Sequence, residues 1–477
     1  MRIMISAGLP LAGLGFLLVT ACSPNNQSST AATPTSAEEV PAATPRATCG
    51  PGSRPETGLQ GRVSREDHVS GRASEGYTCN TEIVGTYATP NALGTVGGFK
   101  VERYVDAAGH DCAYYDTTLL FPTNIIDTLG GGVNVLDMSD STKPVLTAKL
   151  MTPAMLSPHE SLLVNKQRGV LAAVLGNPAF GPGVVDIYDI SQDCRHPVLK
   201  SVAPVGTFGH ESGFSPDGMT FYSASPGTPT LTPIDLTNLS VPLPLAVLNI
   251  PSHGLSVSDD GNRAYLADGN TGAGVKILDV SEIQARKPNP KVRTIGQVTW
   301  PSISIPQNTI PITIKGKPFL VEVDEYTDAL SGGGPGNIGA GRIIDISDET
   351  KPKMISNLRL EVHQPENKAV RDGDPGANLP VQGYGGHYCN VPSRVDPTIV
   401  ACSMIISGLR IFDIRDPYHP REIAYFNAPV SPRLILEASN WAMSSPNFVP
   451  ERKEIWYSDG YSGFYAIRVT NNAWPDK

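Results

Sequence analysis

A chain of 477 residues is long enough for one large domain or two to three ordinary ones, with a sizeable core. Glycine (47) and proline (43) are abundant and only 17% of residues are charged, a balance that favours short strands and tight turns over long amphipathic helices. A net charge of −9 without any basic run argues against nucleic acid as a partner, because neutralising phosphates takes clustered Lys and Arg.

The first predicted element is a targeting segment. Arg2 precedes an apolar run from Ile3 to Val19, which ends Val19-Thr20-Ala21-Cys22. The run falls short of the roughly 20 residues that span a bilayer, so residues 1–21 read as an export signal rather than a membrane anchor. The closing Val-Thr-Ala-Cys resembles a bacterial lipoprotein signal. That resemblance implies cleavage before Cys22, lipidation of Cys22 and attachment to a membrane of the cell envelope. Ser23 in place of Asp implies sorting to the outer membrane, with the chain facing the periplasm or the exterior. Residues 23–48 are rich in Ser, Thr, Pro, Ala, Asn and Gln and cannot bury enough apolar surface to order themselves, so 22–55 is expected as a flexible tether. Residues 56–97 form an N-terminal segment before the main domain at 98–477.

Six cysteines remain after Cys22: Cys49, Cys79, Cys112, Cys194, Cys389 and Cys402. An even number in an exported chain points to disulfides. Cys389 and Cys402 flank the predicted hairpin turn SRVDP, which suits a cross-strand bridge. Cys49 with Cys79 and Cys112 with Cys194 is one choice among the fifteen connectivities that six cysteines allow.

From residue 98 the chain is periodic. An apolar run ending in Asp, then a small polar stretch, then Pro, recurs as VNVLDMSDSTKP (133–144), VVDIYDISQDCRHP (184–197), TPIDLTNLSVP (232–242), VKILDVSEIQARKP (275–288), RIIDISDETKP (342–352) and LRIFDIRDPYHP (409–420). Each reads as a strand, a turn whose Asp bonds backbone N–H groups, and a second strand directed by Pro. These aspartates are therefore expected to be structural. A second strand pair lies upstream of each run, giving four strands per unit at a period of about 45–55 residues, which means propeller blades. Seven units follow, at 98–150, 156–207, 208–250, 251–303, 307–362, 385–428 and 437–469. The last lacks a fourth strand. TEIVGTYATP (81–90) resembles the outer strand REIAYFNAP (421–429), so Glu82–Tyr87 is expected to complete the last blade and close the ring. The predicted class is all-β, a seven-bladed propeller of four-stranded blades. Over residues 80–470 the repeats resemble the LVIVD-repeat β-propeller family of bacterial exported proteins. The resemblance implies fold and export and leaves activity open.

The residue before each blade's first strand lies near the mouth of the central channel. Counting eight back from the turn glycine gives His210 (Gly218), His253 (Gly261) and Asn308 (Gly316). His159 and His387 take the matching places in SPHESLLVNKQRG and GGHYCNVPSRVD. Convergent imidazoles can hold Fe, Cu or Zn. Glu160 and Glu211 each follow a ring histidine and could orient imidazoles, and Asp268, Asp324 and Glu325 end second strands at the same face. The arrangement is similar in kind to carotenoid-cleaving dioxygenases, in which four histidines from separate blades hold iron, and to the histidine-rich propellers of the selenium-binding and methanethiol-oxidase family. A repeat also copies its residues, so the same histidines could simply bond neighbouring loops. His110 is expected off axis in a turn, and His68, His196, His363 and His419 at the surface in loops. No G-x-S-x-G elbow or H-E-x-x-H motif is present, SGGGPGNIGAG (331–341) precedes no helix signal, and 363–384 reads as a long insertion. Two function classes follow. One is an envelope binding or scaffold lipoprotein that holds an unidentified protein or small molecule. The other is a metal-dependent oxidoreductase working at the histidine ring.

Overall fold

The computed structural model describes residues 40–88, 97–117, 131–176, 181–268, 274–300, 305–325, 338–378, 383–430 and 440–476. The export signal, Cys22 and most of SGGGPGNIGAG lie outside them.

Seven antiparallel sheets follow one another along the chain. Blade one comprises Val101–Val105, Asp111–Asp116, Val133–Asp137 and Val145–Leu150, and blade two Leu163–Asn165, Val170–Val174, Val185–Asp189 and Val198–Ala203. Blade three runs Glu211–Phe214, Thr220–Ser225, Thr230–Asp235 and Leu243–Pro244, and blade four Leu255–Val257, Arg263–Asp268, Gly274–Asp279 and Arg293–Thr299. Blade five is Ile305–Ile314, Lys317–Glu325, Gly341–Asp345 and Lys353–Asn357, and blade six Tyr388–Asn390, Ile399–Ser403, Leu409–Asp413 and Arg421–Asn427. Blade seven has Asn447–Val449, Glu454–Asp459 and Gly463–Val469, and its fourth strand is Thr81–Tyr87 from the start of the chain. Thr81 pairs with Val469 and Tyr87 with Phe464, so the ring closes as the sequence predicts.

Side chains alternate across each strand, so every blade offers apolar residues to both neighbours. In blade one, Tyr114 packs with Leu171 and Ala173 of blade two, while Ala113 and Tyr115 pack with Trp456 and Phe464 of blade seven. An apolar layer of this kind separates each pair of adjacent blades, and together the layers form the core. The repeated aspartates are structural, as expected. Oδ1 of Asp137, Asp189, Asp235, Asp279, Asp345 and Asp413 accepts the N–H two residues on, from Ser139, Ser191, Thr237, Ser281, Ser347 and Arg415, at 2.8–3.1 Å.

All three expected disulfides form: Cys49–Cys79, Cys112–Cys194 and Cys389–Cys402. They fit an oxidising, exported environment. Among the described residues, no helix is long and apolar enough to cross a membrane.

Three expectations change. Residues 40–55, the distal part of the expected tether, lie on the propeller. Thr44 N–H donates to Arg359 O at 2.8 Å, Arg46 pairs with Glu361, and Tyr77–Cys79 adds a fifth strand to blade six. Their polar composition is satisfied by partners some 300 residues away. The insertion after residue 363 is folded through 378, where Asp374 pairs with Arg62 at 2.7 Å. Within it His363 is fully buried rather than exposed, its Nδ1 accepting the Leu360 N–H. His68 sits partly buried in a six-residue helix, Arg65–Ser70, while His196 and His419 are exposed.

Candidate metal centre

First strands run outward from the axis, so the residues just ahead of them meet there. Parallel bridges join Glu160 to Glu211 and Glu325 to Gly386, bringing together the starts of blades two and three and the junction of blades five and six. Four imidazoles converge on one carboxylate. The Nε2 atoms of His159 and His387 lie 3.5 and 3.2 Å from Glu160 Oε1, and those of His210 and His253 lie 3.3 and 3.4 Å from Glu160 Oε2. A second carboxylate faces two of them: Glu325 is 3.5 Å from His253 Nε2 and 3.6 Å from His387 Nε2. The rings touch around the axis, with centroids 4.3 Å apart for His159 and His210 and 4.9 Å for His210 and His253. Phe99 fills the gap between His159 and His387, at 4.4 and 5.3 Å.

Hydrogen bonds fix which nitrogen faces inward. His253 Nδ1 lies 3.0 Å from the Pro306 carbonyl and His387 Nδ1 2.6 Å from the Met443 carbonyl. A carbonyl only accepts, so each Nδ1 carries the proton and each Nε2 presents its lone pair to the centre. Burial pulls His159 well below the ordinary imidazole value and His253 below it, which favours neutral rings. Neutral imidazole lone pairs aimed at buried carboxylates call for positive charge between them. A metal ion is one group that would supply it. Two ligands bound to one ion at about 2.1 Å, at 90–110° to each other, are about 3.0–3.4 Å apart. Of the six nitrogen–oxygen separations here, three, at 3.2–3.4 Å, match that span and three, at 3.5–3.6 Å, are slightly longer, and His159, Glu160 and His210 offer ligand atoms that all lie within 4.8 Å of one another. Nitrogen with carboxylate oxygen suits Fe, Cu or Zn, and the six paired cysteines offer no competing thiolate.

A second polar layer lies against the first. Glu211 pairs with Lys100 Nζ at 3.2 Å and accepts the Asn308 side-chain amide. The Lys100 ammonium stands 3.9 Å from the centroid of the Tyr388 ring, whose hydroxyl accepts from Gln307. Gly254 makes room for this layer, since a Cβ there would lie 2.1 Å from Glu211 Oε2. Burial pushes Glu211 up to about 8 despite Lys100.

Of the residues expected at the axis, His159, His210, His253, His387, Glu160 and Glu325 come together. Glu211 stands behind them. Asn308 does not join the ring, because a bulge between Pro306 and Asn308 shifts the strand register and turns its amide to Glu211. Asp268 is held by Lys276 at 2.6 Å, and Asp324 by Arg342 at 2.7 Å and the Trp300 indole N–H at 3.1 Å. Phe99 and Lys100 escaped the sequence reading. Counting eight back from Gly109 of the blade-one turn reaches Val101, one residue past Lys100, so the spacing held a usable signal. A second grouping, Asp106, His110 and Asp193, is a turn device, in which buried Asp106 accepts the N–H groups of Ala108, His110 and Cys194.

No family model matches the chain, and no curated protein matches it. Solved structures do. A candidate 6-phosphogluconolactonase from Bacteroides fragilis is 12% identical with a TM-score of 0.47, over 70% of this chain and 89% of that one. A second from Bacteroides uniformis is 14% identical with a TM-score of 0.47, over 70% and 90%. A chain of a mitotic checkpoint complex is 12% identical with a TM-score of 0.49, over 81% and 93%.

Proposed function

We propose that this chain is an exported propeller of the LVIVD-repeat kind, lipid-anchored in the cell envelope through Cys22, that holds one transition-metal ion on its axis and acts as a metal-dependent oxidoreductase. One observation carries the reading: four imidazole Nε2 atoms from blades two, three, four and six surround the Glu160 carboxylate at 3.2–3.5 Å. A scaffold whose histidines were only repeat-borne would turn both ring nitrogens to backbone or solvent. Here at least two rings are held from behind with their lone pairs inward. Imidazole-rich sites suit Fe and Cu, the ions that cycle between oxidation states.

The test is elemental analysis of the tag-free, exported domain. About one equivalent of Fe, Cu or Zn is expected, with at least 100-fold weaker binding in His253→Ala and His387→Ala variants that still fold. A parent protein that stays metal-free after incubation with all three ions would return the axis to a structural role and leave the scaffold reading.

A further inference from the structure

The four imidazoles are not held alike. His253 and His387 are each clamped at Nδ1 by a carbonyl from the start of the next blade. Such a bond fixes the tautomer and the ring orientation of a metal ligand. His159 has no clamp: its Nδ1 is buried and makes no hydrogen bond. Its ring makes edge contacts with Phe99 and His210, at 4.4 and 4.3 Å, besides facing Glu160. Its backbone is also strained. His159 has φ +49°, the left-handed region that glycine favours, whereas His210, His253 and His387 have ordinary φ. The surrounding blade imposes this conformation, and strain of this kind collects at sites that must change state.

Building on the metal reading above, we propose that His159 is the exchangeable ligand, and that its coordination position opens to admit a small exogenous donor while His210, His253, His387 and the carboxylates keep the ion. The chemical class of that donor follows from the walls of the position. Phe99 lines one side with an apolar ring, and Glu160 places a carboxylate beside it. Together they disfavour a hydrated anion and favour a small, neutral, weakly hydrated molecule of two or three atoms, of the size of dioxygen or nitric oxide.

The experiment uses the whole exported domain loaded with cobalt(II), read by visible absorption and by metal affinity, and loaded with iron(II) and exposed to nitric oxide. His159→Ala is expected to keep about one equivalent of cobalt with affinity within about tenfold of the parent, while His253→Ala and His387→Ala lose at least 100-fold. Imidazole added to His159→Ala should restore the parent spectrum, and added to His253→Ala should not. Nitric oxide should bind the iron form of the parent without releasing iron. His159→Asn, a residue more at ease in left-handed backbone, serves where alanine fails to fold. Cobalt lost as completely from both His159 variants as from His253→Ala would overturn this inference alone, as would a parent site that ignores nitric oxide while holding iron. A parent that takes up no metal would overturn the metal reading and this inference with it.

Discussion

At the residue scale, buried charges near the axis set opposite pH demands. Asp116 ends the second strand of blade one and is fully buried. Its Oδ1 accepts the N–H groups of Phe99 and Lys100 at 2.9 and 3.0 Å, which fixes the backbone beside the histidines, while Oδ2 has no partner. Burial pushes this carboxyl up to about 7 against those bonds. Between about 4, its value in an unfolded chain, and 7, the folded state therefore keeps a proton that the unfolded state has lost, and stability falls as pH rises. The slope approaches about 1.4 kcal/mol per pH unit. His159 and His253 act the other way. Burial lowers both, so below about 6.5 the unfolded chain takes protons that the folded chain refuses, and stability falls as pH drops. Asp116→Asn keeps an acceptor for both N–H groups and removes the first effect alone. The variant should gain about 2 kcal/mol over the parent between pH 5 and pH 7, measured by denaturant unfolding of the metal-free protein. A difference that does not grow with pH would mean that Asp116 is already ionised when folded.

At the scale of elements, the staples between and within blades differ in what they constrain. Cys112–Cys194 ties the second strand of blade one to the turn after the third strand of blade two and spans 82 residues, whereas Cys389–Cys402 sits inside one hairpin and spans 13. In the chain-entropy picture the longer closure is worth about 4.5 kcal/mol and the shorter about 3. Cys112→Ser/Cys194→Ser should thus lower stability by about 1.6 kcal/mol more than Cys389→Ser/Cys402→Ser. The reverse order in denaturant melts would show that loop length does not govern these bonds. The hairpins themselves were legible because Asp, Pro and turn glycines mark them locally, and the distance from turn to channel mouth then pointed to four histidines. What was illegible depends on distant partners. Arg46 meets Glu361 and Arg62 meets Asp374 only once the ring is built, so the stretch carrying Arg46 read as a flexible tether and the one carrying Asp374 as a bare insertion. Asn308 was misplaced by a single bulge, which leaves no mark in composition.

At the scale of the whole molecule, the axis works only if the ring holds its radius. His159 and His387 are far apart in sequence, yet their Nε2 atoms both lie within 3.5 Å of one Glu160 oxygen. That convergence depends on seven blades being present and on the first and last blades being joined. Blade seven owes its outer strand to Thr81–Tyr87, and its face toward blade one is completed by Val84 and Tyr87 packing beside Trp456 and Phe464. A chain lacking residues up to 88 would expose the edge of Gly463–Val469 and leave that apolar layer thin, which invites pairing with other chains. It should elute as an oligomer, unfold over a broader denaturant range, and bind metal far more weakly than the intact domain, because loosened blades no longer bring four imidazoles to one point. Since a bound ion favours only the closed ring, the intact domain should in turn gain up to about 2.7 kcal/mol at a free-ion concentration 100 times its dissociation constant, and the opened chain should gain less. A truncated chain that remains monomeric, melts cooperatively at the same midpoint and keeps its metal would mean that the blades hold the axis without closure.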